Sequence, residues 1–310
     1  MTTTTAVRAP RKRPSKAQLR TRSIRTTRLA RAGVQLAVAG IILFAAVRHQ
    51  LEGDSGQPSV DALCPFGAVE TLVTLVTTGQ FISKTHPSNI VLGLAVLAAT
   101  LLVGNVFCGW ICPWGAVQDA LSWVRGRLHL KAWQPPADLD RWLRHGRFVV
   151  LGVVVYFSVT TAKLWFADFD PYVQTFGLGW VFNIGEASAV GLTIVGLVLL
   201  GSLVIDRMWC RYLCPLGAVF SVVGHLSFLR IRRTAATCTD CTLCDRPCPV
   251  GLSVSTSNPK VSTDCIGCMD CVTTCPVPGA LKLDGPVFLG SLTRDATLPS
   301  RPKVDARSAR

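Results

Sequence analysis

Thirteen cysteines stand in this chain of 310 residues, and eight of them fall in two runs of one pattern. "CTDCTLCDRPCPVG" occupies residues 238–251 and "CIGCMDCVTTCPVPGA" residues 265–280. Both contain C-x2-C-x2-C-x3-C-P, the spacing that ligates [4Fe–4S] clusters, with the fourth cysteine of each run serving the other cluster. One set is then Cys238, Cys241, Cys244 and Cys275; the other is Cys248, Cys265, Cys268 and Cys271. Three thiolates two residues apart wrap a tight loop around one face of a cubane. Pro249 and Pro276 turn the chain toward the partner set, and a small residue such as Gly267 lets backbone amides approach the sulfurs, a contact that tunes potential. All-cysteine zinc sites also use C-x2-C pairs and are the alternative. Two complete runs, each with its C-P ending, favour iron–sulfur chemistry. Clusters need reduced thiols, so a disulfide framework of the kind found in small secreted proteins is not expected.

Four of the remaining cysteines form two C-x3-C-P pairs, "CGWICPWGAVQD" from Cys108 and "CRYLCPLGAVFS" from Cys210. Aligning on the C-P step shows three copies: "CPFGAVETL" at Cys64, "CPWGAVQDA" at Cys112 and "CPLGAVFSV" at Cys214. A proline directly after the cysteine suits the first position of a helix. Each cysteine should therefore sit at a helix N-terminus, where the macrodipole favours a thiolate. The helices look too short to span a bilayer and read as re-entrant or interfacial. Cys108, Cys112, Cys210 and Cys214 are a candidate four-thiolate redox or metal site if their two segments are neighbours; small apolar packing is the alternative. Cys64 lacks a partner four residues earlier, where Val60 stands, and the two readings balance there. No pair of the five histidines faces across mid-membrane, which disfavours a bis-histidine haem.

Something must hold these thiols, and the composition says what. Hydrophobic residues make up 49% and charged residues only 16%, against about 25% charged in soluble domains. Apolar runs at 33–47, 90–107, 148–165 and 187–205 read as four transmembrane helices, the last three near the ~20 residues a bilayer requires. A signal peptide is the competing reading of the first. The net charge of +14 raises nucleic acid as a partner, but the basic residues follow membrane topology instead. The first 32 residues carry ten Lys/Arg, 51–89 one, 108–147 six, 166–186 none, and the chain beyond Ile205 thirteen. The positive-inside rule then puts both termini, the 108–147 loop and the cysteine-rich tail in the cytoplasm of a multi-pass cell-membrane protein. Copies two and three of the C-P repeat fall on that side and copy one on the outer side. Trp110, Trp114, Trp165, Trp180 and Trp209 read as interfacial anchors.

The expected organisation is a disordered basic tail (1–32), a four-span α-helical membrane domain with three CPxGAV repeats (33–230), a 2[4Fe–4S] ferredoxin-like α+β domain (231–285) and a disordered tail (286–310).

The C-x3-C-P pairs after two spans, the third "LCPFGAVETL" copy and the paired C-terminal runs together resemble the NapH/NosR/CcoG group of membrane polyferredoxins, over residues 30–285. The resemblance implies an integral membrane iron–sulfur protein passing electrons between a quinol or cytoplasmic donor and a partner oxidoreductase. Quinone is thus a candidate cofactor, and the bilayer and a redox protein are the expected partners, with no nucleic acid. NosR-like members carry an extracytoplasmic flavin domain that the short outer loops here cannot hold. CcoG-like members extend beyond the ferredoxin, so a minimal NapH-like subunit fits best. The alternative function is copper handling, with the C-x3-C-P thiolates binding and reducing copper, since soft thiolates select Cu(I). A redox-sensing regulator is a third reading. Neither a catalytic acid–base or nucleophile constellation nor a Gly-rich nucleotide fingerprint is present, which points to an electron-transfer subunit without its own substrate site.

Overall fold

The computed structural model describes residues 16–52, 60–82, 87–182 and 189–285. The expected disorder of 1–15 and of the 286–310 tail falls outside the described residues. From Lys16 onward, however, the basic tail is helical, the opening of the long helix α1 (Lys16–Glu52). This corrects the expectation of disorder up to residue 32. After Pro14 nothing breaks the helix, and Arg28 and Arg31 find an acidic partner, Asp270, far along the chain.

The membrane part is helical throughout: α2 (Pro65–Thr78), α3 (Pro87–Val103), α4 (Val106–Trp110), α5 (Pro113–Arg127), α6 (Ala137–Leu143), α7 (Gly146–Thr161), α8 (Pro171–Phe176), α9 (Gly179–Phe182), α10 (Ala189–Val204) and α11 (Pro215–Val223). Two stretches, Ser23–Leu51 and Ala137–Thr161, are long and apolar enough to cross a membrane, and only 17% of each is buried within the chain. Leu36, Ile41 and Phe44 of α1 and Val149 and Tyr156 of α7 all point outward with more than 60% exposure. A soluble core helix would bury such side chains; a lipid-facing helix leaves them outside.

The expected second and fourth spans are shorter than their apolar runs. α3 stops at Val103 because Gly104 takes a left-handed conformation (φ +74°), and the run restarts as α4. α10 ends at Val204, ahead of Arg207, a left-handed residue at φ +51°. Trp114 and Trp209 are buried in the helical core, so those two are packing residues rather than interfacial anchors.

The core of this bundle is formed by Phe66, Trp114, Val154, Phe166, Trp209 and Phe220, with Phe66 edge-on to Phe166 and Phe107 edge-on to Phe220. The C-terminal module opens with β1 (Arg230–Arg233) and closes with β2 (Leu281–Asp284), paired antiparallel so that Ile231 faces Leu283. Its α-helix is the short α12 (Asp270–Thr274), joined by 3-10 turns at Ala235–Thr237 and Val254–Thr256. Closing the module with its first and last segments brings its ends together over a small core of Ile231, Val254, Val261 and Leu281.

Candidate iron–sulfur sites

The two C-terminal runs fold the same way. Positive φ occurs at Asp240 and Thr242 in the first and at Gly267 and Met269 in the second. These are equivalent motif positions, the residues flanking the second cysteine of each run. Two left-handed residues around that cysteine curl the loop back on itself. Met269 and Thr242 pay a conformational cost that only a built loop sustains.

The fourth cysteine of each run leaves its own loop. Cys238, Cys241, Cys244 and Cys275 line one small cavity, closed on one side by Pro276 and Val277. Cys271 lies within electrostatic reach of Cys265, Cys268 and Cys248. Backbone N–H groups point at these sulfurs: Leu252 donates to Cys248 Sγ at 3.3 Å, Gly267 to Cys265 and Asp270 to Cys268. The donor sets fit thiolate-bound clusters, whose sulfurs need such hydrogen bonds. Burial pushes the Cys265 thiol up to about 12 and the Cys268 thiol up to about 11. Without metal both are protonated at neutral pH.

The three C-P copies also share one local geometry. Cys64, Cys112 and Cys214 each cap a helix with extended backbone (ψ 116°, 117° and 114°), and proline opens the helix behind each. The first-turn amides then face the capping sulfur: Phe66 and Gly67 at Cys64, Trp114 and Gly115 at Cys112, Gly217 at Cys214. The glycine of the motif has a second role in the paired copies. A Cβ on Gly115 would lie 3.0 Å from the Cys108 carbonyl oxygen, and one on Gly217 would lie 3.4 Å from that of Cys210. A side chain at Gly115 would press on the first cysteine's turn, whereas one at Gly217 would just reach it.

Tertiary packing brings the two pairs together. Cys108, Cys112, Cys210 and Cys214 line a single cavity of about 270 Å³. Cys64 lines it too; its segment enters the bundle beside α3, where Asn89 donates to the Cys64 carbonyl. Among the described residues no three Cys, His, Asp or Glu side chains approach closely enough to hold a single metal ion.

Polar residues that the motifs do not announce bond to these cysteines from behind. Gln118 Nε2 donates to Cys210 Sγ at 3.0 Å. The fully buried Arg207 grips Asp119 through two bonds of 2.7 and 2.6 Å and donates to the Cys108 carbonyl at 3.0 Å. One signal in the sequence could have found Gln118: it occupies the motif position of Glu70 in copy one, and both side chains are buried. Arg207 lies between an apolar helix and a C-P motif, where a charge is costly unless paired.

The C-terminal module docks directly on this site. Cys108 and Cys248 pack against Val250, Ile266 and Cys268. Asn105 Nδ2 donates to the Thr263 carbonyl at 2.6 Å, and Trp110 Nε1 to that of Gly267 at 3.0 Å. Asp264 accepts from Arg147 at 2.5 Å, Arg144 at 3.2 Å and Ser221 at 3.2 Å. Burial pushes the Asp264 carboxyl up, but the Arg147 and Arg144 charges outweigh it and hold the group below the ordinary carboxylate range.

Two segments of the chain, residues 85–131 and 188–234, match the family model described as "4Fe-4S binding domain". They contain the C-x3-C-P pairs, not the C-terminal runs. The ferredoxin-type protein NapH of Haemophilus influenzae is 30% identical over 213 residues, 65% of this chain and 71% of that protein. NapH of Escherichia coli K12 is 30% identical over 221 residues, covering 68% and 74%. This chain belongs to the NapH-type ferredoxin family. A putative electron transport protein of E. coli K12, YccM, is also 30% identical over 227 residues; the match takes in 72% of this chain and 62% of YccM. No solved structure matches. Like its NapH-type relatives the chain is a ferredoxin-type protein with 4Fe–4S binding domains.

Proposed function

We propose that this chain is a membrane-anchored electron-transfer subunit that relays electrons through two [4Fe–4S] clusters between a quinol or cytoplasmic donor and a partner oxidoreductase. The exchange of fourth cysteines carries the reading: Cys275 stands with the first run and Cys248 with the second. Two four-thiol sets interlocked in one small module favour paired clusters over separate zinc sites. When bound, such clusters supply one-electron transfer at low reorganisation, and the chain's own residues position them.

The two sets are not equivalent. Cys241 of the first is exposed, which suits exchange with a soluble partner. The second is buried against the helices, with Cys268 and Cys271 fully inside. Electrons would enter or leave through the first set and reach the membrane side through the second. The anchor we read is α1, α3, α7 and α10 as four spans, with both termini and the module in the cytoplasm, as the distribution of basic residues supports. The electron-transport label of YccM and the ferredoxin-type label of NapH agree with this role.

Anaerobic purification from membranes tests it. Iron and acid-labile sulfide should reach at least about eight of each per chain, with EPR of two interacting reduced [4Fe–4S] clusters. A stoichiometric zinc protein free of iron would sink the proposal. Reporter fusions at the 108–147 loop and at the C-terminus should both report cytoplasm.

A further inference from the structure

The segment from Trp123 to Trp142 carries an apolar surface that electron transfer leaves unused. Trp123, Leu128, Leu130, Trp133 and Trp142 are all at least half exposed, Trp142 at 72%. Exposed apolar side chains at this density mark an interaction surface. The same surface is basic. Arg127, Lys131 and Arg141 are exposed, against one exposed carboxylate in the segment, Asp138. Arg125 and Asp140 are buried and paired, the first with Asp206, the second with Arg144 and Arg211. The Arg127 guanidinium stands 5.0 Å above the Trp123 ring, an apolar body under a cationic head.

Its position narrows the occupant. The Trp133 N–H donates to the carbonyl of Val204, the last residue of α10, at 3.0 Å. Arg125 pairs with Asp206, two residues further on. At the other end α6 runs into α7 through Arg144 and His145, whose amides bond back to Asp140 and Trp142. The segment is therefore pinned to the ends of two apolar helices that we read as spans. Residues 128–136, between α5 and α6, are irregular, and hydrocarbon accepts neither open backbone nor free charge. The headgroup layer accepts both, and tryptophan, lysine and arginine collect there. A protein interface depletes lysine at its core, whereas here Lys131 stands between Leu130 and Trp133.

We propose that anionic phospholipid of the adjoining leaflet binds the 123–142 segment as an interfacial platform, and that α6 passes its seating to the second ferredoxin run. The tryptophans enter the acyl boundary, and Arg127, Lys131 and Arg141 take the lipid phosphates. The opposite face of α6 reaches both loops that carry Cys248 and Cys265. Asp140 accepts from Tyr212 Oη at 2.6 Å and pairs with Arg211. Arg144 donates to the Val250 carbonyl at 2.7 Å and pairs with Asp264. Val250 lies two residues after Cys248, and Asp264 directly precedes Cys265. The proposal rests on the reading of α7 and α10 as spans and adds the lipid that holds the module against them.

The test is hydrogen exchange on the full-length protein in nanodiscs of phosphatidylcholine, with and without phosphatidylglycerol. Phosphatidylglycerol should slow exchange at residues 128–143 by about tenfold, since each Lys or Arg near an anionic surface contributes about fivefold. Exchange at residues 250–253 should slow with it. Combining Arg127→Ala, Lys131→Ala and Arg141→Ala should remove both effects. Brominated phosphatidylglycerol should quench the native tryptophan emission more than that of a variant with Trp123→Phe, Trp133→Phe and Trp142→Phe. Equal exchange in the two discs, or equal quenching, would overturn the platform and assign the surface to a protein partner or to water. Slowing confined to residues 128–143 would overturn the transmission through α6. A chain that does not enter nanodiscs at all would overturn the span reading together with the platform, a result distinct from the other outcomes.

Discussion

Gly109 and Ile266 touch through their backbones: a Cβ built on Gly109 would lie 2.3 Å from the Ile266 carbonyl oxygen. Gly109 follows the first membrane cysteine, and Ile266 follows the first cysteine of the second ferredoxin run. The joint between the helical bundle and the C-terminal module therefore depends on one missing methyl group.

Gly109→Ala should push the module off the bundle, at about 1–3 kcal/mol by analogy with overpacked cores. Limited proteolysis of detergent-solubilised protein is the measurement. Cleavage between residues 226 and 238 should accelerate in the variant, while the helical fragment stays in the membrane fraction.

The Asp264 clasp gives a second handle on the same joint. Asp264→Ala leaves Arg147 and Arg144 facing each other without their shared anion, and loss of one partner from a buried pair costs about 3 kcal/mol or more. The pH dependence has a definite sign. Because the folded-state pKa lies below the ordinary 3.8, the stabilisation is complete above that value and disappears only as pH falls through the lower folded value. Protease resistance of the joint should therefore be flat from pH 8 to about pH 5. A loss of resistance centred near pH 6 would show that another group controls docking.

Cluster loading has the opposite requirement. With Cys265 near 12 and Cys268 near 11, the metal-free thiols must lose protons to bind iron, so loading releases protons and becomes more favourable as pH rises. Reconstitution of the apoprotein with iron and sulfide should yield more cluster at pH 8.5 than at pH 6.5. A calorimetric titration in two buffers of different ionisation heat should register the released protons.

Asp119 and Arg207 should tune potential. Arg207 lies within electrostatic reach of both Cys210 and Cys268, and Asp119 cancels much of its charge. Asp119→Asn exposes that charge to the neighbouring cluster and favours the reduced, more negative form. The potential of the cluster we propose at Cys248, Cys265, Cys268 and Cys271 should rise by on the order of tens of millivolts. Redox titration followed by EPR measures it; a fall in potential would contradict the placement of the charge.

Much of this protein was legible in its residues because local chemistry is written locally. The spacing of Cys238 to Cys248 and Cys265 to Cys275 dictates loops around sulfur, and the C-P step of Cys64, Cys112 and Cys214 dictates a capped helix start. Both hold whatever lies nearby. Helix boundaries were less legible, since Gly104 and Arg207 end their apolar runs through backbone conformations that hydropathy does not record. The helical basic arm from Lys16 was hidden for a different reason: its partner, Asp270, is more than 200 residues away. Convergence of Cys108, Cys112, Cys210 and Cys214 on one cavity, and the seating of the module on Gly109, depend on the packing of distant helices. Those relationships arise from shape and from charges paired across the fold, and only the tertiary structure decided them.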